Sequence, residues 1–348
     1  MPDTIHIALA ADDNYFEGLL TTAWSIVRNC SRPKSLVFHI LDGGIDDEHW
    51  QVLKNRISSF GCSLQQIRID QTKSFGSFKS YHGGGKMTYA RLLLPDLLPN
   101  VKQIIYSDVD ILWAVDIAEL WDALDPSAII HCTPSNLSSP LEIEWCNRYG
   151  YTFERGTRFC AGMIVLNLDK FRSEDLHHKM LAALEACGGK APCNDETVLN
   201  ALVFGRKDRG FLPSRWQHMS AGQTKPLESN GCVIHYLMDT PWQSIHKYHH
   251  LLTDAHILWH RFHAEARQIS VWQSMRMPNS ALDIIMCRAL FLCARYCGLV
   301  RGLLRLMLTL TGKRSNISAL NAYMLPFDFK NVNLKLLPQT LGALTPTA

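Results

Sequence analysis

The sequence predicts an α/β fold, a mixed sheet flanked by helices, with a helical extension toward the C-terminal end. Three observations carry that prediction. Apolar runs of strand length alternate with helix-length segments from Thr4 to Ile69, the rhythm of a sheet whose crossovers are helices. A further apolar run, Val101 to Trp113, ends its strand in two carboxylates, Asp108 and Asp110. After Asp254 the composition changes to an apolar chain studded with arginine.

Taken in order, Thr4 to Ala11 alternates Ile5, Ile7 and Leu9 and reads as the first strand, closing in Asp12, Asp13, Asn14 and Tyr15. Thr21 to Arg28 reads as helix and Leu36 to Leu41 as the second strand. Asp46 is placed to cap a helix reaching Phe60, and Leu64 to Ile69 gives the third strand. Ligands of such sheets bind beyond the carboxyl ends of the strands. Asp12 to Tyr15 and Asp108 to Asp110 are therefore expected on one rim.

The loop Ser74 to Lys86 holds Gly83, Gly84 and Gly85 but is no P-loop, because Ser80 and Met87 stand where that motif needs Gly and Ser or Thr. It reads either as a flexible edge to a site or as plain surface. Thr88 to Leu94 reads as helix and carries Arg91 within an apolar stretch. An arginine there calls for an anion, a structural carboxylate or a substrate phosphate.

In extended chain, residues i and i+2 face one side, so Asp108 and Asp110 suit a hard divalent cation that could in turn hold a diphosphate. With 21 Asp in 348 residues, about one Asp-x-Asp is expected by chance. Placement has to decide, and the flanking Ile104, Ile105, Ile111 and Leu112 set the pair beside a buried sheet. A solvated strand-to-loop turn is the competing reading.

Beyond it, Asp116 to Leu124 reads as helix, Ala128 to Cys132 as a short strand and Phe159 to Leu168 as a strong strand containing Gly162. Asp169 opens a helix expected to run toward Cys187. Asn194, Asp195 and Glu196 head an apolar helix, where acids serve either as caps or as site groups. His235 ends the strand GCVIHY, as a core imidazole or as a ligand.

A hydrophobic content of 47% in 348 residues supports one large domain with an appendage, assigned as residues 1–255, a helical basic and apolar extension at 256–314, and an irregular tail at 315–348. The net charge of +3, with no basic block beside aromatic platforms, gives nucleic-acid binding no support. Eleven Cys without a Cys-x-x-Cys pair argue against a zinc cage or disulfide framework and fit a reducing cytoplasm. The stretch MPDTIHIALAADDN lacks the pattern of a signal peptide. Ala281 to Thr311 contains Arg288, Arg295, Arg301 and Arg305, and its longest uncharged interval between them is six residues, far below the ~20 of a spanning helix. It reads as a helix lying on an anionic membrane surface, the inner face, or as a hairpin packed on protein.

The segments AADDNY (Ala10 to Tyr15), TYARL (Thr88 to Leu92) and YSDVDILW (Tyr106 to Trp113), in that order and spacing, resemble glycosyltransferase family 8. These are retaining enzymes of the GT-A fold, including bacterial lipooligosaccharide and lipopolysaccharide galactosyl- and glucosyltransferases. The resemblance covers roughly Ile5 to Trp242. It implies a UDP-sugar donor, Mn²⁺ or Mg²⁺, and a saccharide or lipid-linked glycan acceptor. By the same resemblance Ala10, Asp12, Asn14 and Tyr15 would hold uridine, Arg91 would contact the diphosphate and donor sugar, and Asp108, Asp110 and His235 would be metal ligands. Cys160, Ala161 and Gly162 fall on the family's Asn-Ala-Gly, and Asp195 with Glu196 on its Asp-Gln, the pair that meets the donor sugar. Three positions depart from the pattern: Cys160 and Glu196 replace amides, and Thr240 stands where a lysine is usual. A catalytically impaired nucleotide-sugar-binding protein is the alternative those departures imply.

Overall fold

The computed structural model describes residues 4–79, 85–135, 140–151, 158–203, 205–219, 231–237, 240–242 and 254–276. The expected membrane-surface segment Ala281 to Thr311, the tail from 315 and the glycines Gly83 and Gly84 lie outside them. The strands are β1 (Ile5–Ala11), β2 (Leu36–Asp42), β3 (Ser63–Arg68), β4 (Gln103–Ser107), β5 (Ile111–Ala114), β6 (Ile130–Ser135), β7 (Arg158–Asn167), β8 (Arg209–Phe211), β9 (His218–Met219) and β10 (Cys232–His235). The helices are α1 (Phe16–Asn29), α2 (Asp47–Ser58), α3 (Gln71–Phe75), α4 (Leu94–Leu97), α5 (Ile117–Asp122), α6 (Pro140–Arg148), α7 (Leu168–Ser173), α8 (Leu176–Ala186), α9 (Asn194–Val203), α10 (Asp254–Arg267) and α11 (Val271–Arg276).

The chain divides into two compact units, the first made of Met1–Leu19, Cys30–Val109 and Ile117–Gln217, the second of Leu20–Asn29, Asp110–Asp116 and His218–Ala348. The first unit is built on a seven-stranded sheet in the order β3-β2-β1-β4-β7-β6-β8. β1 pairs in parallel with β2 and β4, and β2 with β3. β7 runs antiparallel to both β4 and β6, so the sheet is mixed as expected. Helices on a sheet with both faces covered require strands that are apolar throughout, and β1, β4 and β7 are buried along almost their whole length. Asp46 caps α2 by accepting from Glu48 N at 2.8 Å.

Four local expectations are corrected. The helix expected from Thr88 starts earlier and is of the 3-10 kind, Lys86–Leu93, giving way to α4 at Leu94. The loop read from Ser74 begins later, because α3 is capped by Asp70 and takes up Gln71–Phe75. The helix from Asp169 toward Cys187 is broken into α7 and α8 by Asp175, whose φ of +57° is left-handed. Asp tolerates that region better than most residues, and no Gly or Pro announces the break. Finally, the chain turns at Val109 and Asp110, so the two carboxylates are not held by strand alternation.

The second unit has a three-stranded sheet, β5-β10-β9. Residues of α1 fasten it: Thr22 Oγ1 donates to Ile111 O at 2.7 Å, Ser25 Oγ accepts from Trp113 N at 3.0 Å and Asn29 donates to Trp113 O. Glu265 of α10 takes Trp24 Nε1 at 3.2 Å and Arg28 Nε at 3.3 Å. No helix among the described residues is long and apolar enough to cross a membrane.

Candidate active site

In the first unit, β1 and β4 are parallel neighbours, so the residues that follow them leave from the same rim. Asp12, after β1, accepts from Asn14 N at 3.0 Å and caps the turn Asp13–Tyr15. Tyr15 is half-buried and Ala10 is buried in the strand. Gly85 lies over them: a Cβ there would sit 3.4 Å from Asp12 Oδ2 and 3.9 Å from Tyr15 Cε2.

Asp108 follows β4, and its backbone N donates to Gly162 O at 2.7 Å. That bond extends the β4–β7 ladder by one residue and sets Cys160, Ala161 and Gly162 beside it. Arg91 joins these parts. Its side chain is only 3% exposed, Nη2 donates to Asp108 Oδ1 at 2.8 Å, and Nε lies 2.8 Å from Asp195 Oδ2. Nη1 donates to Ala161 O, Nε to Thr88 O at 3.1 Å, and the guanidinium lies 4.2 Å from the Tyr106 ring centroid. Tyr106 OH donates to Asp108 Oδ1 at 3.1 Å. Of the two anions the sequence left open for Arg91, the structure supplies carboxylates.

Burial works against the Arg91 charge, but Asp108 and Asp195 outweigh it and its pKa is raised. Burial pushes the Asp195 carboxyl up, against the pull of Arg91 and the Thr88 hydroxyl. A buried cation between two carboxylates is costly to assemble and costly to break. It is a rigid link from a strand end to a helix start.

Glu196, at the first turn of α9, does not act merely as a cap. Its Oε2 accepts from Ala161 N at 2.7 Å, and its Oε1 pairs with Arg158. Arg158 is held from its other side by Glu142 Oε2 at 2.9 Å. Burial opposes the Arg158 charge, and Glu196 and Glu142 more than offset it, so its pKa is raised. Asn200, one turn further along α9, accepts from Phe159 N and donates to Phe159 O, each at 2.9 Å. Arg158 and Glu142 were missed by sequence reasoning, and Thr88 entered it only as the first residue of TYARL. Of the two, only Arg158, heading an apolar strand, left a trace there.

In the second unit, the antiparallel register sets His235 opposite Ile111. His235 is thereby brought to Asp110, with Nε2 and Oδ1 3.2 Å apart and the imidazole side chain 2% exposed. Tyr236 N donates to Asp110 O at 2.9 Å. Asp108 precedes Asp110 with only Val109 between them, and within the second unit Asp110 and His235 bring a carboxylate and an imidazole to one point. A carboxylate and an imidazole are both donors that first-row divalent ions accept. A buried histidine turned onto a carboxylate fits such a ligand set. Thr240 is half-buried.

General stress protein A of Bacillus subtilis is 24% identical over 262 residues, covering 70% of this chain and 88% of that protein. A Haemophilus influenzae protein is 25% identical over 211 residues, and this chain spans only 60% of its length. Two structures of LgtC, an active-site glutamine-to-glutamate mutant and a complex with donor and acceptor sugar analogs, align with TM-scores of 0.62 and 0.59 at 21% and 23% identity. They cover 75% and 76% of this chain and 96% of each LgtC chain. At that identity the likeness establishes the GT-A fold. The sequence profile of glycosyl transferase family 8 matches residues 6–246, a span that takes in the β1 rim, Arg91, the Asp108 turn, Glu196 and His235, and the chain therefore belongs to that family.

Proposed function

We propose that the chain is a metal-dependent hexosyltransferase, moving glucose or galactose from a UDP-sugar to a saccharide or lipid-linked glycan acceptor with retention at the anomeric carbon. The observation that carries this reading is the Arg91 link, which fixes Asp108 and Asp195 in one buried cluster at the carboxyl rim of β4. In the family those two positions serve the nucleotide side and the sugar side of the donor. LgtC, described in complex with donor and acceptor sugar analogs, supports both substrates.

On this reading Ala10, Asp12, Asn14 and Tyr15 receive uridine at the β1 rim. Asp108, Asp110 and His235 would hold Mn²⁺ or Mg²⁺, which offsets charge on a diphosphate leaving group. Cys160, Ala161, Gly162 and Asp195 border the sugar. Glu196, as a carboxylate fixed by Arg158 and Ala161 N, stabilises positive charge developing at the anomeric carbon.

Release of UDP from UDP-glucose and UDP-galactose, with Mn²⁺ and with EDTA, tests the reading. Turnover should need the metal, and Asp110→Asn should lower it by orders of magnitude. Full activity in EDTA would overturn it.

A second reading, a nucleotide-sugar-binding protein with impaired transfer, is favoured by one observation. Both Glu196 oxygens are already engaged, by Arg158 and by Ala161 N, and Cys160 offers no amide. Calorimetric binding of UDP-sugar without turnover on any acceptor would select it.

We also propose residues 1–255 as the catalytic part and Ala281 to Thr311 as a peripheral attachment to the anionic inner face of a membrane. Equal flotation with anionic liposomes of the full chain and of a chain ending after Arg276 would remove that assignment.

A further inference from the structure

Away from the residues above, the first unit brings two histidines onto one carboxylate. His177 Nε2 lies 2.9 Å from Asp96 Oδ1, and His178 Nε2 lies 3.2 Å from Asp96 Oδ2. Asp96 belongs to α4 and the two histidines to the first turn of α8. The ligand atoms all lie within 4.8 Å of one another.

The other ring nitrogens decide what this arrangement can hold. His177 Nδ1 faces the carbonyl oxygen of Phe171 at 3.4 Å, and His178 Nδ1 faces Asp175 Oδ1 at 2.5 Å. A carbonyl and a carboxylate only accept, so the tautomer with hydrogen on Nδ1 satisfies both of these contacts and frees each Nε2 for a ligand role. In neutral rings, both Nε2 atoms then direct a lone pair at the same anionic carboxylate. Three electron-rich groups converging at 2.9 and 3.2 Å repel one another unless a cation sits among them. Protonation is the competing answer, since Asp175 and then Asp96 raise the His178 pKa, although the first turn of a helix opposes positive charge. A metal ion leaves both rings neutral.

The surrounding contacts match a metal centre in a second way. Histidine ligands characteristically give their other N–H to a backbone carbonyl or a carboxylate, which fixes the tautomer and the ring plane. Both rings do so here, through Phe171 O and Asp175. The His177 side chain is 3% exposed, whereas His178 and Asp96 are 56% and 50% exposed. The centre is thus anchored in the core on one side and open to solvent on the other.

We infer that Asp96, His177 and His178 form a second metal site, taking a divalent ion that favours imidazole and completing its coordination with water. Zn²⁺ fits this donor set best, since two imidazoles and one carboxylate with an open position are among its common ligand groups. Bound there, the ion clips the start of α8 to α4. It would hold in place the left-handed Asp175 that separates α7 from α8.

Zinc titration of the chelator-stripped full chain by calorimetry, with ¹⁵N-detected histidine spectra, tests the inference. Two classes of site are expected in the wild-type chain. Because Asp108, Asp110 and His235 could also take zinc, an Asp110→Asn chain serves as the background in which one class remains. In that background, His178→Ala and Asp96→Asn, both surface changes, should abolish the remaining binding. Asp175→Asn should weaken it by about 10- to 100-fold, the usual effect of losing a ligand's supporting partner. The Nε2 resonances of His177 and His178 should move on adding zinc while their Nδ1 stays protonated. Unchanged zinc affinity and stoichiometry in both His178→Ala and Asp96→Asn would overturn the inference, whatever becomes of the transferase reading.

Discussion

Arg158 holds Glu196 from one side while Glu142 holds Arg158 from the other, so a carboxylate standing where the family resemblance expects an amide is charge-compensated within the first unit. Glu196→Gln keeps an acceptor for Ala161 N–H and removes the charge facing Arg158. Because Arg158 retains Glu142, the stability loss should lie near the lower end of about 1.5–3 kcal/mol, the scale of a hydrogen bond to a charged group. A donor-facing Glu196 also predicts a change of orders of magnitude in turnover. A simple helix cap predicts about 0.3–1 kcal/mol and an unaltered rate. Urea unfolding and UDP release, measured on Glu196→Gln, Arg158→Met and the double variant, separate the two outcomes.

Arg91 offers a test of a different kind, since its partners are all within the protein. Arg91→Met would leave Asp108 and Asp195 without their shared cation, and breaking a buried pair by removing one member costs about 3–5 kcal/mol. Arg91→Lys should also be markedly destabilising, because an ammonium cannot reproduce the fork that reaches Asp108, Asp195 and Ala161 O together. Denaturation midpoints would show this without any substrate present. A fully stable Arg91→Lys chain would mean that the arginine serves only a ligand.

Much of this was legible beforehand, and what was not has a physical reason. Strand runs such as Ile5 to Ala11 and Phe159 to Leu168 stand out because both faces of the sheet are covered, and the rim position of Asp12 and Asp108 follows from strand polarity. β5 was hidden because Ile111 to Ala114 continues the apolar run of β4, although it pairs with β10 in another sheet. The break at Asp175 carries no Gly or Pro. The Glu142–Arg158–Glu196 chain joins residues 16 and 38 positions apart, and ion pairs across such intervals leave no periodic mark in a sequence.

Acid sensitivity should come from the sheet interior. Burial, then the neighbouring His6, pushes the His39 imidazole down to about 4 from its ordinary 6.5. A group with a lowered folded pKa binds protons more readily unfolded, so the neutral form's contribution is complete above pH 6.5 and is lost as pH falls toward 4. A shift of that size corresponds to roughly 3 kcal/mol. Thermal unfolding at pH 7.5, 6, 5 and 4 should show the decline, and His39→Leu should make it shallower, with buried His218, also pushed down to about 4, keeping part of the slope. An equal slope in that variant would assign the acid sensitivity to other groups.

Nucleotide affinity, finally, should depend on Tyr15 through its ring alone. Tyr15 closes the Asp12-capped turn at the end of β1, half-buried, where a Cβ at position 85 would come within 3.9 Å of its Cε2. On the proposed reading uracil stacks on this ring, and aromatic stacking of a base is worth roughly 1–3 kcal/mol. Tyr15→Ala should therefore weaken UDP binding by about 5- to 150-fold, and Tyr15→Phe, which keeps the ring, should recover most of the loss. Calorimetry with UDP in the presence of Mn²⁺ reads both, with thermal unfolding run alongside to exclude a folding defect. If Tyr15→Ala binds UDP as tightly as the unaltered chain, uridine does not stack on this ring and the β1 rim must hold the nucleotide by other groups.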